Sequence, residues 1–409
     1  MTCRVCLCNE AVEVLDLGST PLANELVDNI PCEAQTYPLS IEWCPQCLNI
    51  QLSYCVSSQD LYKNYFYVTP KSASLQNHYS QLLRFLQENR YLNKDTHLLE
   101  IGSNSGELLQ FFQRSVASVL GVDPAENIAE IANARGIRTE ADFFNASSAK
   151  SLSKKVGPQD LIIARHCFAH NENPGEMVEG VCEILSDNGY FVIENAYAVD
   201  TVEQNEFDQV YHEHMYYYSL HSLQALLERY EFALVDAMTS HIHGGSFVAV
   251  AKRISGREIC KSNTLQRLLE RERDVLNLKG VMGFSDRSLG IIKGLREVIA
   301  EISSQGKIIY SYGATAKGNT LLNVCGLDCN QIKYCVDSTD IKQGKFLPGS
   351  GIEIISEEFC YENPPDYFLL TAWNYSEEII KKFTEQSSAP VTFIVPFPEI
   401  RYIRKNYNS

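Results

Sequence analysis

The sequence predicts an α/β protein in which strands alternate with helices in open sheets, and three stretches predict it. LLEIGSNSGELL, residues 98–109, is an apolar run to Glu100 followed by small, turn-forming residues: a buried strand ending in a glycine-rich turn that opens a helix. SVLGVDPAEN is a second strand that sets Asp123 at its carboxyl end, about twenty residues after the turn, where an acid suits the hydroxyls of a ribose. GKIIYSYGATAKGNTLLN, from residue 306, is strand, glycine turn and helix once more.

Gly102 and Gly106 permit close backbone approach by a ligand, and the helix start offers N–H groups without intrahelical partners. The alternative is a turn that serves only strand–helix packing. The pattern suits a nicotinamide dinucleotide and S-adenosylmethionine equally.

A chain of 409 residues is expected to hold two or three domains. Its formal net charge of −16 argues against nucleic acid or an anionic membrane as the main partner, while leaving room for a small anion in a basic pocket. The sequence shows no apolar run long enough to span a bilayer, and MTCRVCLCNE lacks a secretory pattern, so a cytoplasmic protein is expected.

Most of the 14 cysteines, such as Cys167, Cys182 and Cys335, sit singly in apolar segments and read as reduced core residues. Cys3-x-x-Cys6 and Cys44-x-x-Cys47 differ: each pair offers two thiolates from one tight knuckle, and together they complete a tetrahedral, structural zinc shell. Cys8, Cys32 and Cys55 are nearby spare thiols, and four merely reduced cysteines are the other reading.

Residues 1–57 therefore form a zinc-binding module. The tyrosines Tyr62, Tyr65 and Tyr67 then precede an amphipathic helix; they either pack between modules or form a lid whose hydroxyls, with Ser72, close over a ligand. The domain expected over 58–253 continues with DLIIARHCFAHNENP, a strand that emits Arg165, His166 and His170 at its carboxyl end, where doubly wound sheets bind ligands.

After the strand GYFVIENAY, the loop FDQVYHEH puts Tyr211, His212, Glu213 and His214 in a row. Such residues make a poor core and a plausible catalytic cluster, since a neutral imidazole can take a proton from carbon beside a carbonyl. Tyr211 or Glu213 would fix its tautomer or hydrogen-bond the carbonyl oxygen. Packing at a domain interface is the alternative.

HIHGGSFVAVAKR reads as a turn and a last strand, with His243 at the turn. Residues 254–304 read as a helical connector whose run QRLLERERDVLNL is a solvated face, and 305–409 as a second α/β domain. There Lys317, near a helix start, welcomes a phosphate, and a strand ends at Asp337.

These blocks in this order resemble the sugar C-methyltransferases that act on nucleotide-linked 4-keto-hexoses in deoxysugar biosynthesis: the paired cysteines, EIGSNSG, ARHCFAH, FDQVYHEH, HGGS, SYGATAKGNTLLN and PFPEI. The resemblance covers almost the whole chain. It implies an N-terminal zinc-binding module, a central Rossmann-like class I S-adenosylmethionine methyltransferase domain and a C-terminal Rossmann-like domain that helps hold the nucleotide sugar.

It places Cys3, Cys6, Cys44 and Cys47 on the metal, with His214 as base beside Tyr211, Glu213 and His170. Expected cofactor contacts are Tyr67, Ser72, Glu100, Gly102, Asn104, Gly106, Asp123 and Arg165; expected substrate contacts are Tyr67, His170, Tyr211, His243 and Lys317. The implied reaction is methylation at C3 through an enolate, by a monomer or weak homo-oligomer.

Two positions depart from the family pattern: Ser105 stands where an acid is usual, and Val248 where an arginine often follows HGGS. A nicotinamide-dependent sugar-nucleotide oxidoreductase and a non-catalytic zinc-bearing binding protein are the rival readings. Absence of a Tyr-x-x-x-Lys pair after the third strand counts against the former.

Overall fold

A computed structural model describes residues 1–29, 34–57, 61, 73–254 and 259–404. Near the N-terminus, β1 (Val12–Pro21), β2 (Thr36–Trp43) and β3 (Ile50–Leu52) form an antiparallel sheet, bulged where β1 slips register on β2.

The central unit begins with α1 (Ala73–Glu88) and runs through β4 (His97–Ile101), α2 (Glu107–Phe112), β5 (Ser118–Asp123), α3 (Glu126–Ala134) and β6 (Thr139–Ala141). It continues with α4 (Ala146–Val156), β7 (Gln159–Arg165), α5 (Pro174–Ile184), β8 (Leu185–Ala196), α6 (Ala198–Glu203), β9 (Tyr216–Tyr217), α7 (Leu220–Glu228), β10 (Phe232–Ser240) and β11 (Ser246–Arg253).

The strands make a seven-stranded sheet in the order β10-β11-β8-β7-β4-β5-β6, in which β11 runs antiparallel to both neighbours. Its apolar runs are buried on both sides, as parallel strands between helices require: Leu98, Ile163 and Val192 pack into one core, Leu99, Ile162 and Ile193 into the other. Strand order reverses between β4 and β7, so the crevice for a ligand opens at their carboxyl ends. β9 leaves this sheet and pairs with β3, completing the N-terminal one.

Next come α8 (Asn263–Val275) and α9 (Leu278–Ser304), capped by Ser262 and Asn277, whose side chains accept the N–H groups of Leu265 and Gly280. On α9 the residues Val281, Phe284, Ser288, Ile291, Leu295, Ile299 and Ile302 recur at helical spacing and are buried. The charged face of α8 is not wholly solvated. Glu272 is fully buried and accepts from the Leu220 and His221 N–H groups at 2.6 and 3.0 Å, satisfying donors at the start of α7 that a sequence pattern does not reveal.

The last unit comprises β12 (Ile309–Tyr312), α10 (Ala316–Val324), β13 (Tyr334–Val336), β14 (Glu353–Ile355), α11 (Glu357–Glu362), β15 (Tyr367–Leu370), α12 (Ser376–Gln386), β16 (Thr392–Val395) and β17 (Arg401–Arg404). Its order β14-β13-β12-β15-β16-β17 reverses between β12 and β15, and only β17 is antiparallel.

The two sheets repeat one hydrogen-bond frame. After β4, the Gly102 N–H donates to Val122 O at 2.8 Å, and Asp123 accepts from the Asn104 and Ala125 N–H groups at 2.8 and 3.0 Å. After β12, Gly313 donates to Val336 O at 2.8 Å, and Asp337 accepts from Ala314 and Thr339 at 2.8 and 2.9 Å. The resemblance seen between the two sequence stretches is thus a geometric repeat.

Candidate active site

The paired cysteines converge. Leu7 and Leu48, each just after the second cysteine of its pair, adopt φ of +65° and +57°, and their N–H groups return to the carbonyls of Cys3 and Cys44 at 2.9 Å. Each C-x-x-C segment thereby turns its two sulfurs inward. The four Sγ atoms lie within 4.8 Å of one another, with Cys3–Cys47 and Cys6–Cys44 at 3.6 Å. A tetrahedral zinc with bonds of about 2.3 Å needs sulfurs about 3.8 Å apart, so the donor set fits and leaves no open position. Cys8 comes within 3.3 Å of Cys44 but lies outside this mutually close set. Cys32 falls outside the described residues, and Cys167 and Cys182 are partly buried where full burial was expected.

At the first crevice, each Asp123 oxygen accepts one backbone N–H and keeps lone-pair capacity for a diol. Gly102 and Gly106 are also required by the turn itself. Their φ values are +65° and +80°, and a Cβ would meet Cys167 at 2.8 Å or Ile137 at 3.0 Å, so they serve the left-handed turn and its packing.

Beneath the turn, Glu100 is 1% exposed; one oxygen accepts from Arg165 Nε at 3.2 Å and the other is buried without a hydrogen-bond partner. Burial pushes the Glu100 carboxyl up to about 7 against the opposing pull of Arg165. Arg165 stacks on Tyr79 at 4.8 Å, lies 3.9 Å from Glu194, and leaves Nη1 buried without a hydrogen-bond partner. An unsatisfied carboxylate oxygen beside an unsatisfied guanidinium nitrogen complements the ammonium and carboxylate of an amino-acid tail.

The FDQVYHEH loop comes to the same crevice. Tyr211 Oη and His214 Nε2 are 2.6 Å apart with rings 4.1 Å apart, so the phenol and the imidazole share one hydrogen bond. The His170 ring is 5.1 Å from His214, and its Nε2 is buried without a hydrogen-bond partner. Burial holds His170 down to about 4 and, with the charge of Lys317, holds His214 well below the usual imidazole range. Both rings are therefore neutral near pH 7.

Glu213 turns elsewhere. It accepts from Asn24 Nδ2 at 2.6 Å, and burial pushes it up to about 7, so Tyr211 is the loop neighbour bonded to the His214 imidazole. His212 is buried and reaches Pro38 O at 3.3 Å, anchoring the loop to β2.

His243 has φ of +55° and its ring meets that of His166, itself at φ +50°, edge to face at 4.6 Å. Lys317 Nζ donates to the His243 carbonyl at 2.8 Å and lies 5.7 Å from the Trp373 ring centroid. The HGG turn needs both glycines: a Cβ at Gly244 would meet Glu206 oxygens at 2.7 Å, and one at Gly245 the Asp200 carboxylate at 2.4 Å. Tyr62, Tyr65, Tyr67 and Ser72 lie outside the described residues.

The sequence reading missed several neighbours. Glu194, fully buried, receives His78 Nε2 at 2.7 Å and His166 Nε2 at 3.4 Å; an acid inside the apolar run GYFVIENAY was the available signal. Asp208 is fully buried and accepts from Trp373 Nε1 at 2.7 Å. Val248, where the family pattern has arginine, is the register partner of Glu194, whose carboxylate here has His78 at 2.7 Å, His166 at 3.4 Å and the Arg165 cation at 3.9 Å. Ser105, where an acid is usual, donates at 2.6 Å to Glu107, so a carboxylate is still present two residues on.

Three family models match the chain: a putative zinc binding domain over 3–62, a methyltransferase domain over 74–237 and a C-methyltransferase C-terminal domain over 241–398. The C-methyltransferase NovU of Streptomyces niveus is 36% identical over 407 residues, covering 98% of this chain and 96% of its own. A methyltransferase structure from Anabaena variabilis is 15% identical with a TM-score of 0.37, over 44% of this chain and 86% of that one. Magnesium protoporphyrin IX methyltransferase of Synechocystis, solved with bound S-adenosylmethionine, is 13% identical with a TM-score of 0.34, over 47% and 90%. Scores of that size bear on neither substrate nor mechanism.

Proposed function

The chain belongs to the C-methyltransferase family, as an S-adenosylmethionine-dependent enzyme with a zinc-binding N-terminal domain, and we propose that it methylates C3 of a nucleotide-linked 4-keto-deoxyhexose. The oxidoreductase and the non-catalytic readings are not retained. The observation that carries the proposal is the neutral His214 imidazole, its Nε2 turned to Tyr211 at 2.6 Å and its ring beside His170, at the end of the sheet where Asp123, Glu100 and Arg165 gather.

In this reading Asp123 receives the ribose hydroxyls, and Glu100 and Arg165 the amino-acid tail. The bound cofactor supplies an electrophilic methyl group. His214 takes the proton from C3, which the C4 ketone acidifies, and Tyr211 or His170 hydrogen-bonds the oxygen on which charge grows. Burial of the site excludes water, and holding the two ligands face to face supplies much of the rate. The C-terminal crevice, with Lys342 at 3.6 Å from Asp337 and on the Ala314 carbonyl, is the proposed seat of the anionic nucleotide. The groups named in this reading all come from one chain, so a monomer or weak homo-oligomer is the proposed form.

Incubation with labelled S-adenosylmethionine and a panel of 4-keto sugar nucleotides tests this. Label on C3 of at least one member is expected; transfer only to oxygen, nitrogen or non-sugar carbon acids rejects the substrate class.

A further inference from the structure

We propose that Lys317 is a catalytic residue whose ammonium meets the enolate oxygen as His214 removes the carbon-bound proton. The proposal rests on the enolate reading above and assigns to Lys317 a task other than holding phosphate.

Lys317 belongs to the C-terminal sheet, at the second position of α10, yet its Nζ donates at 2.8 Å to the carbonyl of His243 in the central unit. Its charge acts on His214 and His243 and on the buried acids Glu206 and Asp208. Trp373, bonded to Asp208 at 2.7 Å, walls its other side.

Two cations bear on this crevice. Arg165 is bound to Glu100 and lies close to Glu194, whereas no ion pair within 4.0 Å among the described residues includes Lys317. With one N–H on His243, an ammonium keeps two more to give. The other donors are weaker candidates for a full negative charge. His170 is neutral, held down to about 4, and Tyr211 is a neutral phenol already bonded to the base. Lys317 is half-buried, and the buried Asp208 and Glu206 feel its charge, so the ammonium is held among acids before charge develops on a ligand.

The step balances. The C3–H bond breaks, its proton goes to His214 Nε2, and its electron pair forms the C3–C4 double bond while the carbonyl π pair moves to the oxygen beside Lys317. The enolate then bonds the methyl carbon, the sulfur–methyl bond breaks with its pair going to sulfur, and the carbonyl reforms. Lys317 stays protonated throughout.

Enolisation is read without methyl transfer by following exchange of the C3 hydrogen into D2O by NMR. The ketose is the panel member that accepts methyl fastest, and S-adenosylhomocysteine replaces the methyl donor. Lys317→Met and Lys317→Gln should each slow exchange at saturating ketose by about 10²–10³-fold, with KM changed less than about fivefold, and Lys317→Arg should recover part of the rate. Retained S-adenosylhomocysteine binding marks a folded variant. Exchange at the wild-type rate in a folded Lys317→Met or Lys317→Gln protein, with KM raised tenfold or more, overturns the proposal and makes Lys317 a phosphate contact. Wild-type methyl transfer to a position other than C3, or with the original C3 hydrogen kept in the product, rejects the enolate reading itself.

Discussion

Removing zinc from the cysteine knuckles should slow methyl transfer although the metal takes no part in the chemistry. The path runs through β9, which follows His214 by one residue and pairs with β3 through Ile50–Tyr217 and Gln51–Tyr216. β3 itself begins three residues after Cys47, and Arg4, next to Cys3, donates to Leu52 O at 2.8 Å and to the Tyr216 hydroxyl at 3.2 Å. Leu52 N–H adds a 3.0 Å bond to Met215 O. Arg4 also donates to Met215 O at 3.4 Å. At about 1 kcal/mol net for each bond, losing the three that hold Met215 and Tyr216, two from Arg4 and one from Leu52 N–H, weakens the loop by about 3 kcal/mol. That corresponds to about a hundredfold fewer molecules with His214 in place. The assay is turnover with labelled methyl donor before and after chelation under reducing conditions, with metal content measured and zinc returned. Turnover should fall about a hundredfold and recover, while S-adenosylmethionine affinity stays within a few fold. Metal-free protein that keeps its turnover refutes the coupling.

His214→Ala should bind the methyl donor normally by calorimetry yet lose methyl transfer by about 10²–10⁴-fold; a smaller loss removes His214 as base. Asp123→Ala should weaken S-adenosylmethionine binding at least tenfold in the same calorimetric assay, since it deletes the acceptor for a diol and frees the Asn104 and Ala125 N–H groups. Affinity for the methyl donor should also rise with pH. Glu100 titrates near about 7 in the free protein and only its carboxylate attracts an ammonium, so binding should strengthen about tenfold from pH 6 to 8, with the trend abolished in Glu100→Gln. Gly244→Ala should lower the melting temperature, because it forces a Cβ onto a φ of +95° and against Glu206 at 2.7 Å, a cost of about 1–3 kcal/mol; an unchanged Tm contradicts the packing of that turn.

What the sequence made legible is local. Strand, glycine turn and following acid lie within about twenty-five residues, so both crevices could be found from Gly102 with Asp123 and Gly313 with Asp337. The C-x-x-C pairs and the crowded FDQVYHEH loop announce themselves in the same way. The partners of these groups are not local. His78 meets Glu194 only because α1 packs beside β8, Glu213 finds Asn24 from the N-terminal module, and Glu272 caps a helix start 52 residues upstream. Lys317 looked like a phosphate contact because its own helix start dominates the pattern; its reach to His243 depends on how the two α/β units meet. The reason for Gly102 was likewise invisible, since Cys167 arrives from β7.

The repeated hydrogen-bond frame has a further consequence. In the first copy no ion pair within 4.0 Å among the described residues includes Asp123, whereas in the second Lys342 Nζ stands 3.6 Å from Asp337 and donates to Ala314 O at 2.8 Å. Matching backbone bonds thus surround carboxylates of different charge balance. Asp123 stands without a cation partner among the described residues and Asp337 has one, and the difference hangs on a lysine outside the shared framework, so editing one side chain changes the balance without rebuilding a sheet.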